Sequence, residues 1–111
     1  MGKQNMALKH LSLNEYEKLS FDDIQTVAMG NAAPIAVVAA NPDRRALIIC
    51  NVSDATGYFS FGDGTNLSTT VYIKSLGAGA VWEIMNARLS KQAIYAICGA
   101  ATKNLAIQEA T

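Results

Sequence analysis

A chain of 111 residues, half of them hydrophobic and 16% charged, has the length of one domain and apolar material to spare. Nine basic residues balance nine acidic ones, which removes the electrostatic footprint of a nucleic-acid binder, and no apolar run approaches a membrane span or the core of a signal peptide. So little charge suggests surface that is covered in the working state, by copies of the chain or by a larger assembly; the alternative is simply an alanine-rich small domain, since folded surfaces are largely apolar anyway.

Residues 1–12 hold Lys3, Lys9 and His10, no acid and no clear period, and read as an arm. The opening lies near the myristoylation pattern, but Met6 stands where Ser or Thr is required. Ser12-Leu13-Asn14-Glu15 has capping-box spacing and predicts a short helix over 13–19 with Leu13, Tyr16 and Leu19 on one face. Lys3, Lys9, His10, Leu13 and Tyr16 are the arm's candidate partner contacts. Ser20 to Asp23 repeats the capping signal, so 21–29 reads as helix or strand. A strand placing Gln25, Val27 and Met29 together is the reading taken, and the arm is expected to extend to residue 30.

Beyond the break at Gly30 to Pro34, short strands are expected at 35–40 and 45–52, with Asn41-Pro42-Asp43 turning the chain between them. The 45–52 strand is apolar on both faces, which fits a strand covering a core on one side and a partner on the other. Ser53 to Gly57 then breaks the chain before Tyr58 to Phe61, and a hairpin is the natural reading of this pair. Further strands follow at 69–74 (TTVYIK), 80–85, 93–98 and 104–109, with a corner at Leu76 to Gly79 and a polar loop from Asn86 to Gln92. Seven to eight short strands without a long amphipathic helix define an all-β, antiparallel β-sandwich, jelly-roll-like or Ig-like, over 31–111. The expected core is Ile48, Phe59, Phe61, Val71, Ile73, Trp82, Ile94, Ile97, Leu105 and Ile107.

Reactive chemistry is scarce. The single histidine, His10, lies in the arm, and none of the metal, phosphate or dinucleotide motifs occurs. No enzymatic role, catalytic residue, metal or cofactor is therefore expected. Cys50 and Cys98 fall on apolar strand faces without CxxC spacing and read as buried free thiols. Gly62-Asp63-Gly64-Thr65-Asn66 lacks most oxygen ligands of a calcium loop and reads as a tight turn. Arg44-Arg45 is either a bidentate contact to a carboxylate on a neighbouring subunit, or a local pair with Asp43 or Asp54 beside one solvated arginine. Tyr58, Tyr72, Trp82 and Tyr95 are spread over separate strands; Tyr72, Trp82 and Tyr95 are the candidates for stacking on sugar rings.

The runs AANPDRRALIICNVSD, GYFSFG, SLGAGAVWEI and AIYAICGAATKNLAIQE resemble small β-sandwich virion proteins of tailed bacteriophages, the head decoration (cement) and head-fibre-base types. The resemblance spans roughly residues 34–110. It implies a non-enzymatic structural protein on the capsid surface, assembled in the host cytoplasm. Its partners would be a major capsid protein and copies of itself, a trimer being suited to three-fold lattice sites, with no nucleic acid and no membrane. A carbohydrate- or receptor-recognition module of a tail or fibre, and a head–tail connector, are the alternatives.

Overall fold

The computed structural model describes residues 19–85, 90–100 and 102–111. The helix expected over 13–19 falls almost wholly outside this range, as do Lys3, Lys9, His10, Leu13 and Tyr16. The described residues form eight strands: β1 (Gln25–Met29), β2 (Ile35–Val38), β3 (Ala46–Asn51), β4 (Gly57–Phe61), β5 (Lys74–Leu76), β6 (Val81–Met85), β7 (Ile94–Cys98) and β8 (Lys103–Ala110). They pair antiparallel into two four-stranded sheets, the first in the order β1-β8-β3-β6 and the second β2-β7-β4-β5. This is the expected all-β sandwich.

The register explains the layering, since side chains alternate between sheet faces. In the first sheet Gln25, Ile107, Ile49 and Trp82 make one inward row, and Leu47 and Ile84 continue the next. In the second sheet Phe59 and Ala96 face them, as do Phe61 and Ile94. Met29, Leu47, Ile49, Phe59, Ile94 and Leu105 are fully enclosed. Gly57 faces inward too, and it keeps room for Met29, whose sulfur would lie 2.7 Å from an added Cβ.

Four expectations need correction. First, β3 and β4 do not form a hairpin. Both neighbours of β3 are already taken by β6 and β8, and the Ser53 to Thr56 connection carries the chain across to the second sheet. Asn51 shapes this crossing. Its buried amide donates to the carbonyls of Ala55 and Leu76, and its Oδ1 accepts from the Ser53 amide and hydroxyl. Second, residues 69–73 are not a strand. Ser68 accepts from the amides of Thr70 and Val71 in a tight turn, and bonding to β4 starts only with the Ile73 amide, which donates to the Phe59 carbonyl at 3.0 Å. Third, Ile48 points away from the core, and Val71 and Ile73 are exposed, at 57% and 62%. Phe59, Ile94, Leu105 and Ile107 are in the core as expected, with Phe61 and Trp82 packed against it. Ile97 is buried, but its register with Tyr58 places it on the outer side of the second sheet. Fourth, no arm extends to residue 30: β1 is an integral strand, and a bridge between Phe21 and Ala110 ties the chain down still earlier.

Candidate interaction face

Arg44 shows what the sequence hid. It immediately precedes β3, is 1% exposed, and closes one end of the sandwich. Its Nε pairs with the Glu109 carboxylate on β8. Nη1 donates to the carbonyls of Ser90 (2.7 Å) and Gln92 (3.0 Å), and Nη2 to that of Ala39 (2.7 Å). One guanidinium thus fastens the first sheet to the segments after β2 and before β7. Arg44 is not presented to a partner, and neither Asp43 nor Asp54 is its counter-ion. Asp54 instead pairs with Lys103, which holds its carboxyl below the ordinary value of 3.8 through a hydrogen bond and then through charge. Arg45 is exposed, and its amide donates to the Ala110 carbonyl at 2.8 Å. The turn before them forms as expected, with the Asp43 amide donating to the Asn41 side chain.

Tyr72, Trp82 and Tyr95 do not share a surface. Trp82 lies between the sheets, its ring 5.6 Å from Phe59 and 5.8 Å from Phe61, with the Lys74 ammonium 5.7 Å from its centroid. Tyr95 is on the outer face of the second sheet, in register with Ser60 and Ala36. Tyr72 leans on Tyr58 at 4.7 Å, at the lip of a hollow that also includes Ser60, Asp63 and Asn66. Asp63 accepts from the Thr65 amide, the ordinary turn expected of that loop.

What the register does assemble is the outer face of the first sheet. Thr26, Ala106, Cys50 and Val81 form one row across all four strands. Gln108, Ile48 and Glu83 form the next, with Ile24 just ahead of β1 beside Gln108. Val52 follows the end of β3. Ile24, Val52 and Val81 are 63%, 57% and 55% exposed, and Ile48 and Cys50 are half-buried in the middle. Ile24, Ile48, Cys50 and Ala106 line a shallow hollow of about 130 Å³. Glu83 is the one charged residue in these rows. The double-sided apolarity of β3 was the sequence signal for this face. Which of its sides pointed outward was not.

Among the described residues no three potential metal ligands converge, and no helix is long and apolar enough to cross a membrane. Cys50 and Cys98 are free thiols, Cys98 enclosed and Cys50 on the outer face. The architecture is that of a β-sandwich module with one apolar sheet face that no described segment covers. No family model, no curated protein and no solved structure matches the chain.

Proposed function

We propose that this protein is a non-enzymatic assembly module that docks on a larger protein shell through the outer face of its first sheet. The observation behind the reading is that face: Ile24, Ile48, Cys50, Val52 and Val81 together with Thr26 and Gln108, and Glu83 as the one charged residue of its described rows. Exposed apolar side chains grouped on one sheet face are a feature of surfaces that bind another protein. The resemblance of residues 34–110 to tailed-phage decoration proteins supplies the kind of shell, a capsid. On that reading the chain is a cement or fibre-base protein of the virion surface.

The test is the amount of this chain in purified particles from its own source. A copy number matching the whole lattice supports decoration, and a single ring's worth supports a connector. Absence from particles overturns the proposal. Replacing Val81 with Asp should then lower occupancy at least ten-fold, because an unpaired carboxylate would be trapped against apolar surface.

A second reading, glycan recognition, rests on the hollow of about 200 Å³ where Tyr72 stands beside Asp63 and Asn66. Glycan-array binding that vanishes in Tyr72→Ala without unfolding would favour it over shell docking.

A further inference from the structure

Two open sheets have four edge strands, and native chains defend such edges with charge, proline, a bulge or brevity. Three of the four are defended here. β5 is three residues long and includes Lys74, and β6 holds Glu83. β2 follows Pro34 directly and slips register between Ala36 and Val38. β1 (QTVAM) has five residues in unbroken register with β8, and neither a charge nor a proline. Its alternate amides and carbonyls point away from β8, and among the described residues no second strand pairs with it.

Beside that edge the two sheets part into a cleft of about 270 Å³. Val27 of β1, Ile107 of β8, and Val37 and Val38 of β2 line it with apolar surface. Asp22, Asp23 and Glu109 add carboxylates. Arg44 already neutralises Glu109, whereas Asp22 and Asp23 are exposed and pair with no base among the described residues. No basic side chain of the described residues lines the cleft. Its free charge is therefore negative, on a molecule whose formal net charge is zero.

We infer that the β1 edge takes an extended segment of another protein as a fifth strand of the first sheet, and that the cleft takes a lysine or arginine side chain of that segment. The site is separate from the outer face proposed for docking and stands without it.

The geometry of a sheet supplies the register. An added strand lies about 4.8 Å beyond β1, and its side chains alternate as those of β1 do. Residues opposite Gln25 and Val27 point between the sheets, into the cleft. Residues opposite Thr26 and Ala28 point to the outer side. A basic side chain in the inward position lays its methylenes on Val27, Val37, Val38 and Ile107 and carries its charge to Asp22 and Asp23. A carboxylate in the same position meets two like charges. Main-chain bonds give affinity whatever the sequence, and the cleft gives the preference.

The experiment titrates the full-length protein with a blocked seven-residue peptide and follows backbone amide shifts by NMR. The peptide carries lysine at its centre, valine two residues to either side and threonine elsewhere. Saturable shifts are expected at Gln25 to Met29, and none at Val81 to Met85. Exchanging the central lysine for glutamate should weaken binding at least ten-fold, and so should methylating alternate backbone nitrogens of the lysine peptide. In the Asp22→Asn/Asp23→Asn chain the preference for lysine over glutamate should fall below two-fold. The fold should survive this change, because Asp22 is held through its backbone amide and carbonyl. The inference is overturned if neither peptide binds at millimolar concentration, if the two bind alike, or if the shifts fall on β6. Undiminished binding of the methylated peptide overturns it as well, since the cleft would then be a site for an amine and the edge would take no strand.

Discussion

The two sheets are matched in strand number and opposite in what lies outside them. On the second sheet, outward Tyr58, Ser60 and Tyr95 are overlaid by the chain between β4 and β5. Gly64 lies against Pro34 and Tyr95, Leu67 is buried, and Tyr72 rests on Tyr58. On the first sheet, outward Ile48, Cys50 and Val81 have no described segment over them. Apolar outward residues thus belong to the described chain's own packing on one side and have no described cover on the other. The comparison teaches that outward apolar character has no single meaning. What decides is whether the loop leaving the sheet folds back onto it, as 62–73 does, or crosses away, as 52–56 does.

The contrast presupposes that the sheets are locked together, and Arg44 does the locking. Arg44→Met strips the charge partner from Glu109 and three carbonyls at once, and should cost about 3–5 kcal/mol, the usual penalty for breaking a buried pair. Urea denaturation measures it. A companion Glu109→Leu change should recover part of the loss, since a buried pair exchanged for packed apolar groups is often close to neutral. If Arg44→Met is neutral by itself, the clasp is not what sets the sheets' relation.

Leu67 tests the covered side directly. Leu67→Ala should cost about 2 kcal/mol, the low end for a buried leucine because a surface loop can settle into the space. Gly64→Ala comes next. An added Cβ would stand 2.7 Å from Pro34 and 2.9 Å from the Tyr95 ring, so the loop must lift or the ring must move. About 1–2 kcal/mol is expected, as for other overpacked contacts. A thermal melt that moves for Leu67→Ala but not for Gly64→Ala would mean that the loop is held at Leu67 alone.

Much of this was legible beforehand, and the failures have physical causes. Alternating apolar runs located β3, β4, β6, β7 and β8 to within a residue or two, and Gln25, Val27 and Met29 share an inward face as their spacing suggested. The β3–β4 hairpin was misread because a short Gly-containing connection serves equally to turn within a sheet and to cross between sheets. Only the competition of β6 and β8 for the edges of β3 decides, and those strands lie 30 and more residues downstream. TTVYIK has strand-like residues, yet strand propensity measures fit to a packed pleat, and Ser68 turns this stretch before any pairing begins. Arg44 could not be resolved locally because its carboxylate is 65 residues away. Asn51, a polar residue ending an apolar strand, was the one overlooked hint of a buried polar corner.

A smaller effect is expected where Asp54, on the β3–β4 connection, meets Lys103 at the start of β8. The lowered carboxyl pKa means that the pair's contribution is present above pH 3.8 and is lost as pH falls below it, through the lower value held in the fold. Asp54→Asn should remove that dependence and leave neutral-pH stability almost untouched, because the carboxylate is fully exposed and screened by salt. Acid titrations of both proteins at low and high ionic strength measure it. A large loss at neutral pH would show that the crossing is held by this pair and not by Asn51.

The smallest effect on folding belongs to the bare face. Val52→Ser and Val81→Ser together remove two exposed apolar side chains whose surroundings give them little to lose, so unfolding free energy should stay within about 0.5 kcal/mol of the parent. The same pair on the covered side could not behave this way, because there each methyl group is already in contact with the protein's own loop. What should change is association: the proposed shell should bind more weakly. The outcome that breaks the comparison is a stability loss as large as that of Leu67→Ala. Val52 and Val81 would then be covered within the folded subunit, and the two faces would differ in which segment covers them, not in whether they are covered.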